Sequence, residues 1–157
     1  MEYTIVKVNI DNYPMFDDMV FWRVNKRERN EMEQKEIRDV VSVNSALNNE
    51  NLYVYAAQSD DKFIAWISIV YIPKISWTGG KGHLFIDELW THPDFRGKGI
   101  AYKLMKKAEV LSKEMNTLGL RLYVNPDNEA AVSLYKKLEY KNRAETLFMD
   151  KEWVTNT

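Results

Sequence analysis

Between a predicted strand and a predicted helix, the chain reads Asp94-Phe95-Arg96-Gly97-Lys98-Gly99-Ile100-Ala101. The first backbone N–H groups of a helix have no intrahelical acceptor and lie at the positive end of the helix dipole, so they can hold a diphosphate. Gly97 and Gly99 let phosphates approach the backbone closely, and Arg96 and Lys98 add positive charge. The turn therefore predicts a phosphate site, although many strand-to-helix connections use glycine only for tight geometry.

Strand-like and helical periodicities alternate along the rest of the chain. In chain order they predict a strand over 3–9, a helix after Asp11 or Asn12, a helix over 37–47, strands over 52–58, 62–72 and 83–91, a helix over 99–115, a strand over 118–124, a helix over 128–138 and two strands over 140–153. This order predicts a mixed sheet covered by helices, and 157 residues suffice for one domain.

Composition restricts the classes of function. The 22 Lys and Arg residues balance 23 Asp and Glu residues, so no net field attracts nucleic acid. The chain has no cysteine, which excludes a thiol nucleophile, and neither His83 nor His92 has a second ligand at metal spacing, so we predict no metal. The first residues lack a signal-peptide pattern, and no apolar run reaches the roughly 18 residues of a membrane span. We predict a cytoplasmic protein with no membrane partner.

The turn resembles the acetyl-CoA-binding motif of the GNAT superfamily of N-acetyltransferases. Arg96, Gly99 and Ala101 match the motif Gln/Arg-x-x-Gly-x-Gly/Ala, and residues 88–93 look like the end of the family's fourth strand. The resemblance implies a GNAT-like α/β (α+β) fold with a mixed sheet of about six or seven strands flanked by helices, splayed between the fourth and fifth strands. It implies a single domain over 1–157, with the acetyl-CoA motif at 88–115 and a second motif at 118–140.

The second motif looks like the family's Asn-x-x-Ala-x-x-Leu-Tyr segment, with Asn128, Ala131, Leu134 and Tyr135 in place. Glu139 stands where the family usually has glycine. A lone tyrosine between leucines is more often a packing residue, but two motifs in the family's order favour a functional role. By resemblance, the residues that contact acetyl-CoA are Leu89, Trp90, Thr91, Arg96, Gly97, Lys98, Gly99, Ile100, Ala101, Asn128 and Tyr135.

Acetyl transfer to an amine needs a base, because an alkylamine with a pKa of about 10.4 is protonated at neutral pH. The family places a carboxylate or a water relay near the end of the splayed strand, where this chain has Asp87 and Glu88. Adjacent strand residues point to opposite faces, so we expect only one of the two to face the substrate, and we favour Glu88. Ion pairing is the alternative role of these carboxylates, and His92 is an alternative base. The resemblance makes Tyr135 the acid that protonates the leaving thiolate.

The acceptor is expected beside the first two helices and the loop around Trp77. Its candidate recognition residues are Asp17, Asp18 and Glu88 for a cationic amine, and Trp22 or Trp77 for stacking. We predict an acyltransferase that moves the acetyl group of acetyl-CoA to an amine of a small molecule or peptide, directly in a ternary complex. A homodimer is compatible with the resemblance. The alternative is a non-catalytic acetyl-CoA sensor or interaction domain. The presence of both Tyr135 and a candidate carboxylate argues against it, because binding alone needs neither.

Overall fold

The structure is a computed structural model that describes residues 1–35, 40–75, 79–143 and 147–153. Its elements are β1 (Thr4–Lys7), α1 (Tyr13–Asn25), α2 (Val40–Leu47), β2 (Leu52–Ser59), β3 (Lys62–Ile72), β4 (His83–Thr91), α3 (Ile100–Glu114), β5 (Leu120–Leu122) and α4 (Glu129–Lys137). The chain divides into two compact units, Met1–Leu122 and Tyr123–Thr157. All five strands belong to the first unit, and α4 belongs to the second.

The sheet is mixed, with the strands in the spatial order β1-β2-β3-β4-β5. The first four strands are antiparallel to their neighbours, whereas β5 runs parallel to β4. This arrangement confirms the predicted fold class, with five strands in place of six or seven. The two strands predicted over 140–153 are not observed, since the described residues 140–143 and 147–153 contain no strand. The apolar side chains of 147–149 are exposed, so no sheet face buries them.

Helices cover both faces of the sheet. On one face, α1 and α2 pack on a core that contains Met19, Trp66 and Leu47. On the other face, the ammonium group of Lys107 in α3 lies 5.1 Å from the ring centroid of Tyr55. The strand period of two separates these layers, because successive side chains point to opposite faces. We call them the α1 face and the α3 face.

The predicted limits of α3 and α4 agree with the structure to within one residue, since Gly99 and Asn128 occupy the N-cap positions. The hairpin of β2 and β3 also forms as predicted, and Asp60 in its turn has a left-handed φ of 53°. For the helix predicted over 37–47, α2 begins at Val40. The predicted start at Ile37 lies outside the described residues.

Candidate active site

β4 extends beyond its parallel neighbour. Only Leu84, Phe85 and Ile86 are in register with β5, whereas the pairing of β4 with β3 continues to Thr91. Within the described part of the unit Met1–Leu122, residues 87–91 therefore have no strand partner on the β5 side. This geometry agrees with the predicted splay between the fourth and fifth strands. An open strand edge can pair with an extended ligand through its backbone.

A β-bulge at Asp87 changes which side chains of β4 face each helix. Ile86 and Glu88 are opposite consecutive residues of β3, so Asp87 is an extra residue in β4. As a result, Ile86 lies on the α3 face, whereas Glu88 and Trp90 lie on the α1 face. The prediction that these two residues alternate between opposite faces as in a regular strand is therefore wrong, because the bulge breaks the alternation. Both carboxylates are exposed, and the preference for Glu88 stays a prediction.

The Glu88 carboxylate contacts both α1 and β3. Its Oε1 accepts a hydrogen bond from Nη1 of Arg23 at 3.2 Å, and its Oε2 accepts one from Nε1 of Trp66 at 3.4 Å. Trp66 is 1% exposed, and a buried indole N–H requires an acceptor. The side chains of Arg23 and Glu88 are 42% and 46% exposed. Glu88 is thus oriented by two partners and still open to solvent, and the ion pairing foreseen as its alternative role is present.

An aromatic cluster surrounds the end of β4. The ring centroid of His92 lies 3.9 Å from that of Trp22, 5.9 Å from that of Trp90 and 5.6 Å from that of Phe95. Its side chain is 14% exposed, and its Nδ1 accepts a hydrogen bond from the backbone N–H of Asp94 at 3.2 Å. The imidazole is therefore part of the turn, a position better suited to holding the turn than to acting as a base.

The turn between β4 and α3 has left-handed backbone at both glycines, with φ of 73° at Gly97 and 76° at Gly99. A Cβ added to either glycine would meet no atom within 4 Å. Backbone conformation, rather than crowding by the protein, thus requires glycine at these positions. The space in front of the α3 N-terminus is open for a ligand.

The two basic side chains of the turn donate hydrogen bonds to nearby backbone carbonyls. Nε of Arg96 donates to the backbone oxygen of Thr91 at 3.0 Å, and Nζ of Lys98 donates to that of Asp94 at 3.2 Å. Ile100, in contrast, is buried at 1% exposure, so only its backbone N–H can face a phosphate. The structure therefore groups residues 96–101 at one helix start, immediately after the open edge of β4.

In the unit Tyr123–Thr157, α4 carries Asn128 and Tyr135. The Asn128 Oδ1 accepts from the backbone N–H of Ala131 at 3.2 Å and so caps the helix. Burial raises the pKa of the Tyr135 phenol above its ordinary value, which favours its neutral form. Glu139 has a φ of 65°, the left-handed conformation that the family's glycine adopts without strain. A non-glycine residue in this conformation costs roughly 1 kcal/mol of strain.

Asp17 is not available to an acceptor amine. Its Oδ2 lies 2.5 Å from Nη2 of Arg29, and the two side chains are only 5% and 8% exposed. Asp18 is more open, with its Oδ1 3.5 Å from Nη1 of Arg29, and burial raises the pKa of its carboxyl. The prediction that Asp17 attracts the acceptor is therefore wrong, because Arg29 already neutralises it. Trp22 packs on His92, and Trp77 lies outside the described residues.

Across 1–35, 40–75, 79–143 and 147–153, no three His, Asp or Glu side chains lie close enough together to hold a metal ion. In the same part of the chain, every helix is too short or too polar to cross a bilayer.

The family model described as the acetyltransferase (GNAT) family matches residues 15–140. The chain belongs to the GNAT family. The match runs from α1 to α4 and includes both the open edge of β4 and the glycine turn. An acetyltransferase of Sodalis glossinidius is 36% identical to this GNAT protein over 66 residues, which are 42% of this chain and 46% of the relative. The thialysine N-epsilon-acetyltransferase of Sus scrofa is 30% identical over 77 residues, 49% of this chain and 44% of the relative. The chain thus spans less than half the length of these relatives.

Solved structures share the fold of this GNAT protein over nearly its whole length. An aminoglycoside acetyltransferase from an uncultured soil metagenomic sample has a TM-score of 0.78 at 16% identity, covering 98% of this chain and 100% of its own. A ribosomal-protein-alanine N-acetyltransferase from Brucella melitensis biovar Abortus 2308 has a TM-score of 0.71 at 16% identity, covering 96% and 100%. At these identities the likeness shows the fold alone.

Proposed function

We propose that this protein is an N-acetyltransferase that moves the acetyl group of acetyl-CoA directly to an amine of a small molecule or peptide. The observation that carries the proposal is the continuity of two ligand-binding features in one segment. The open edge of β4 at residues 87–91 leads directly into the left-handed turn at Gly97 and Gly99, where α3 begins. In acetyl-CoA an extended pantetheine arm is followed by a diphosphate. The arm fits the open edge of β4, and the diphosphate fits the start of α3. The similarity to a thialysine N-epsilon-acetyltransferase supports an amine acceptor.

The residues present fit acetyl-CoA. Backbone groups of Leu89, Trp90 and Thr91 would pair with its pantetheine arm, and the N–H groups of residues 97–101 would bind its diphosphate, with added charge from Arg96 and Lys98. A Cβ at Gly97 or Gly99 would project into the open space that the phosphates need. When bound, acetyl-CoA supplies an activated acetyl group and a thiolate that leaves.

Three groups of the chain then serve the transfer. Glu88, exposed on the α1 face beside the open edge, accepts the proton of the amine directly or through a water. Asp87 on the bulge is the second candidate for this role. Backbone N–H groups of β4 polarise the acetyl carbonyl. Tyr135 donates a proton to the leaving sulfur, and its raised pKa keeps the phenol protonated at neutral pH.

Calorimetry with acetyl-CoA tests the binding site. Gly99→Glu adds a carboxylate at the start of α3, and we expect it to weaken binding at least about tenfold through repulsion of the diphosphate. Gly79→Glu is the matched control, because Gly79 has a φ of 70° and open space around its Cβ position, so the backbone strain is similar. Absence of heat with the folded parent protein, or equal binding by both variants, would overturn the proposal.

Release of CoA tests the transfer itself. Because the chain has no cysteine, a thiol-reactive dye reports released CoA without any signal from the protein. A panel of primary amines should include some that release CoA in a time- and enzyme-dependent manner. Tight binding of acetyl-CoA without release on any amine would favour the sensor function instead.

A further inference from the structure

We infer that the acceptor is a dipolar amine, which carries a carboxylate a few bonds from the reacting nitrogen, and that Arg23 binds this carboxylate. The inference rests on the proposed function and specifies its acceptor. Its starting point is the ion pair between Nη1 of Arg23 and Oε1 of Glu88, at 3.2 Å, on the α1 face beside the open edge of β4. Both side chains are about half exposed, so a small molecule can reach them.

The charges of this pair discriminate between classes of amine. A purely cationic acceptor that binds Glu88 either displaces Arg23 from its ion pair or lies beside the guanidinium as a like charge. A dipolar acceptor places its ammonium against Glu88 and its carboxylate against Arg23. One ion pair is then replaced by two, and no charge is left without a partner. The candidate base therefore favours an amine that brings its own anion.

Arg23 is positioned to bind an anion. Its guanidinium lies 5.3 Å from the ring centroid of Trp66, which is itself buried and bonded to Glu88. Among the described residues, Glu88 is the sole hydrogen-bond partner of this guanidinium, which has five N–H donors in a fork that matches a carboxylate. The contact with the indole and the ion pair with Glu88 restrict the guanidinium, so less conformational freedom is lost when a carboxylate binds.

The other acidic residues of the predicted acceptor region give no support to a polycationic acceptor. Asp17 and Asp18 both contact Arg29, at 2.5 and 3.5 Å. Each of the three carboxylates that the sequence suggested for amine binding thus already contacts an arginine. A second ammonium group on the acceptor would have no uncommitted carboxylate within this set.

Steady-state kinetics with matched acceptors tests the inference. Each pair consists of an amino acid with several bonds between its amine and its carboxylate, and the carboxamide of the same compound, so that the two amines have similar pKa values and the pair differs chiefly in the carboxylate. We expect the parent protein to favour the acid about tenfold in kcat/KM, mainly through KM. Arg23→Gln should abolish this preference, and Arg23→Lys should retain part of it, because lysine keeps the charge without the fork. The ratio between acid and amide isolates anion binding from any effect of Arg23 on Glu88.

Arg27→Gln is the matched control, since Arg27 is a nearby exposed arginine whose ion pair is with Glu33. This variant should keep the preference of the parent. Unchanged acetyl-CoA affinity in calorimetry shows that each variant is folded. Turnover that favours the amide or a diamine, or a preference that survives in Arg23→Gln, overturns the inference and leaves the proposed function intact. Absence of turnover with every amine overturns both.

Discussion

Replacement of Arg29 by methionine should strongly destabilise the protein, because it leaves Asp17 buried without its ion-pair partner. The two side chains are 8% and 5% exposed, and their nearest atoms are 2.5 Å apart. Removal of one partner from a buried ion pair costs about 3–5 kcal/mol of unfolding free energy. Methionine retains an apolar side chain over the ring of Phe21, from which the guanidinium lies 4.7 Å away, so lost packing adds little. The melting temperature should fall by roughly 6–20 °C.

Urea unfolding followed by tryptophan fluorescence measures this loss. The control is Arg27→Met, which removes an arginine from the same Phe21 ring, at 5.0 Å, but breaks an ion pair whose arginine is 53% exposed. Because exposed pairs contribute little, this variant should remain close to the parent. The double variant Asp17→Leu/Arg29→Met removes both charges and should recover much of the lost stability. Equal stability of the two single variants would refute the reasoning.

Three further predictions concern the candidate site. Glu88→Ala removes the acceptor of the buried Trp66 indole and should lower the free energy of unfolding in urea by about 1–3 kcal/mol. Glu88→Gln keeps an oxygen there and should lower it less. Equal losses in the two variants would contradict this role of Glu88. Tyr135→Phe should lower kcat far more than acetyl-CoA affinity. Since burial raises the pKa of this phenol, the acid is lost only as pH rises through the raised value, above the ordinary tyrosine pKa of about 10. An unchanged kcat in Tyr135→Phe would exclude Tyr135 as the acid. Asn128→Ala should lower stability by about 1 kcal/mol through loss of the helix cap, and an unchanged urea midpoint would show that the cap contributes nothing.

Local signals predicted α3 and α4 well. Their limits depend on residues within one turn of the helix end, such as Gly99 and Asn128, and these signals are visible in the sequence. The predicted C-terminal strands depended on partners elsewhere in the chain. Alternation over 140–153 indicates a strand only if another strand pairs with it, and the sequence does not show such a partner. The strand count was therefore too high.

The candidate site was predictable in part. The motifs indicated the glycine turn and Glu88, but not the partners of Glu88, since Arg23 and Trp66 lie 65 and 22 residues away in sequence. The sequence carries a weak signal of the bulge, because Asp87 and Glu88 are consecutive acidic residues within a strand. In a regular strand only one of two consecutive residues lies on an exposed face. The burial of Asp17 depends on an arginine twelve residues later, beyond any helical spacing rule.

The bulge at Asp87 determines which layer the buried residues after it enter. Leu84 and Ile86, before the bulge, fill the layer under α3, whereas Trp90, after it, stacks on Trp66 under α1 at 4.9 Å. Many side chains fit at position 87, because it is exposed. In a regular strand, residues four apart point to the same face, so without the bulge a strand of this length would carry Trp90 toward α3. Excision of residue 87 would instead make Ile86 and Glu88 direct neighbours opposite Ile69 and Ser68, and Trp90 would stay under α1. Relatives that lack one residue between Ile86 and Trp90 should therefore keep the same two layers with a regular strand.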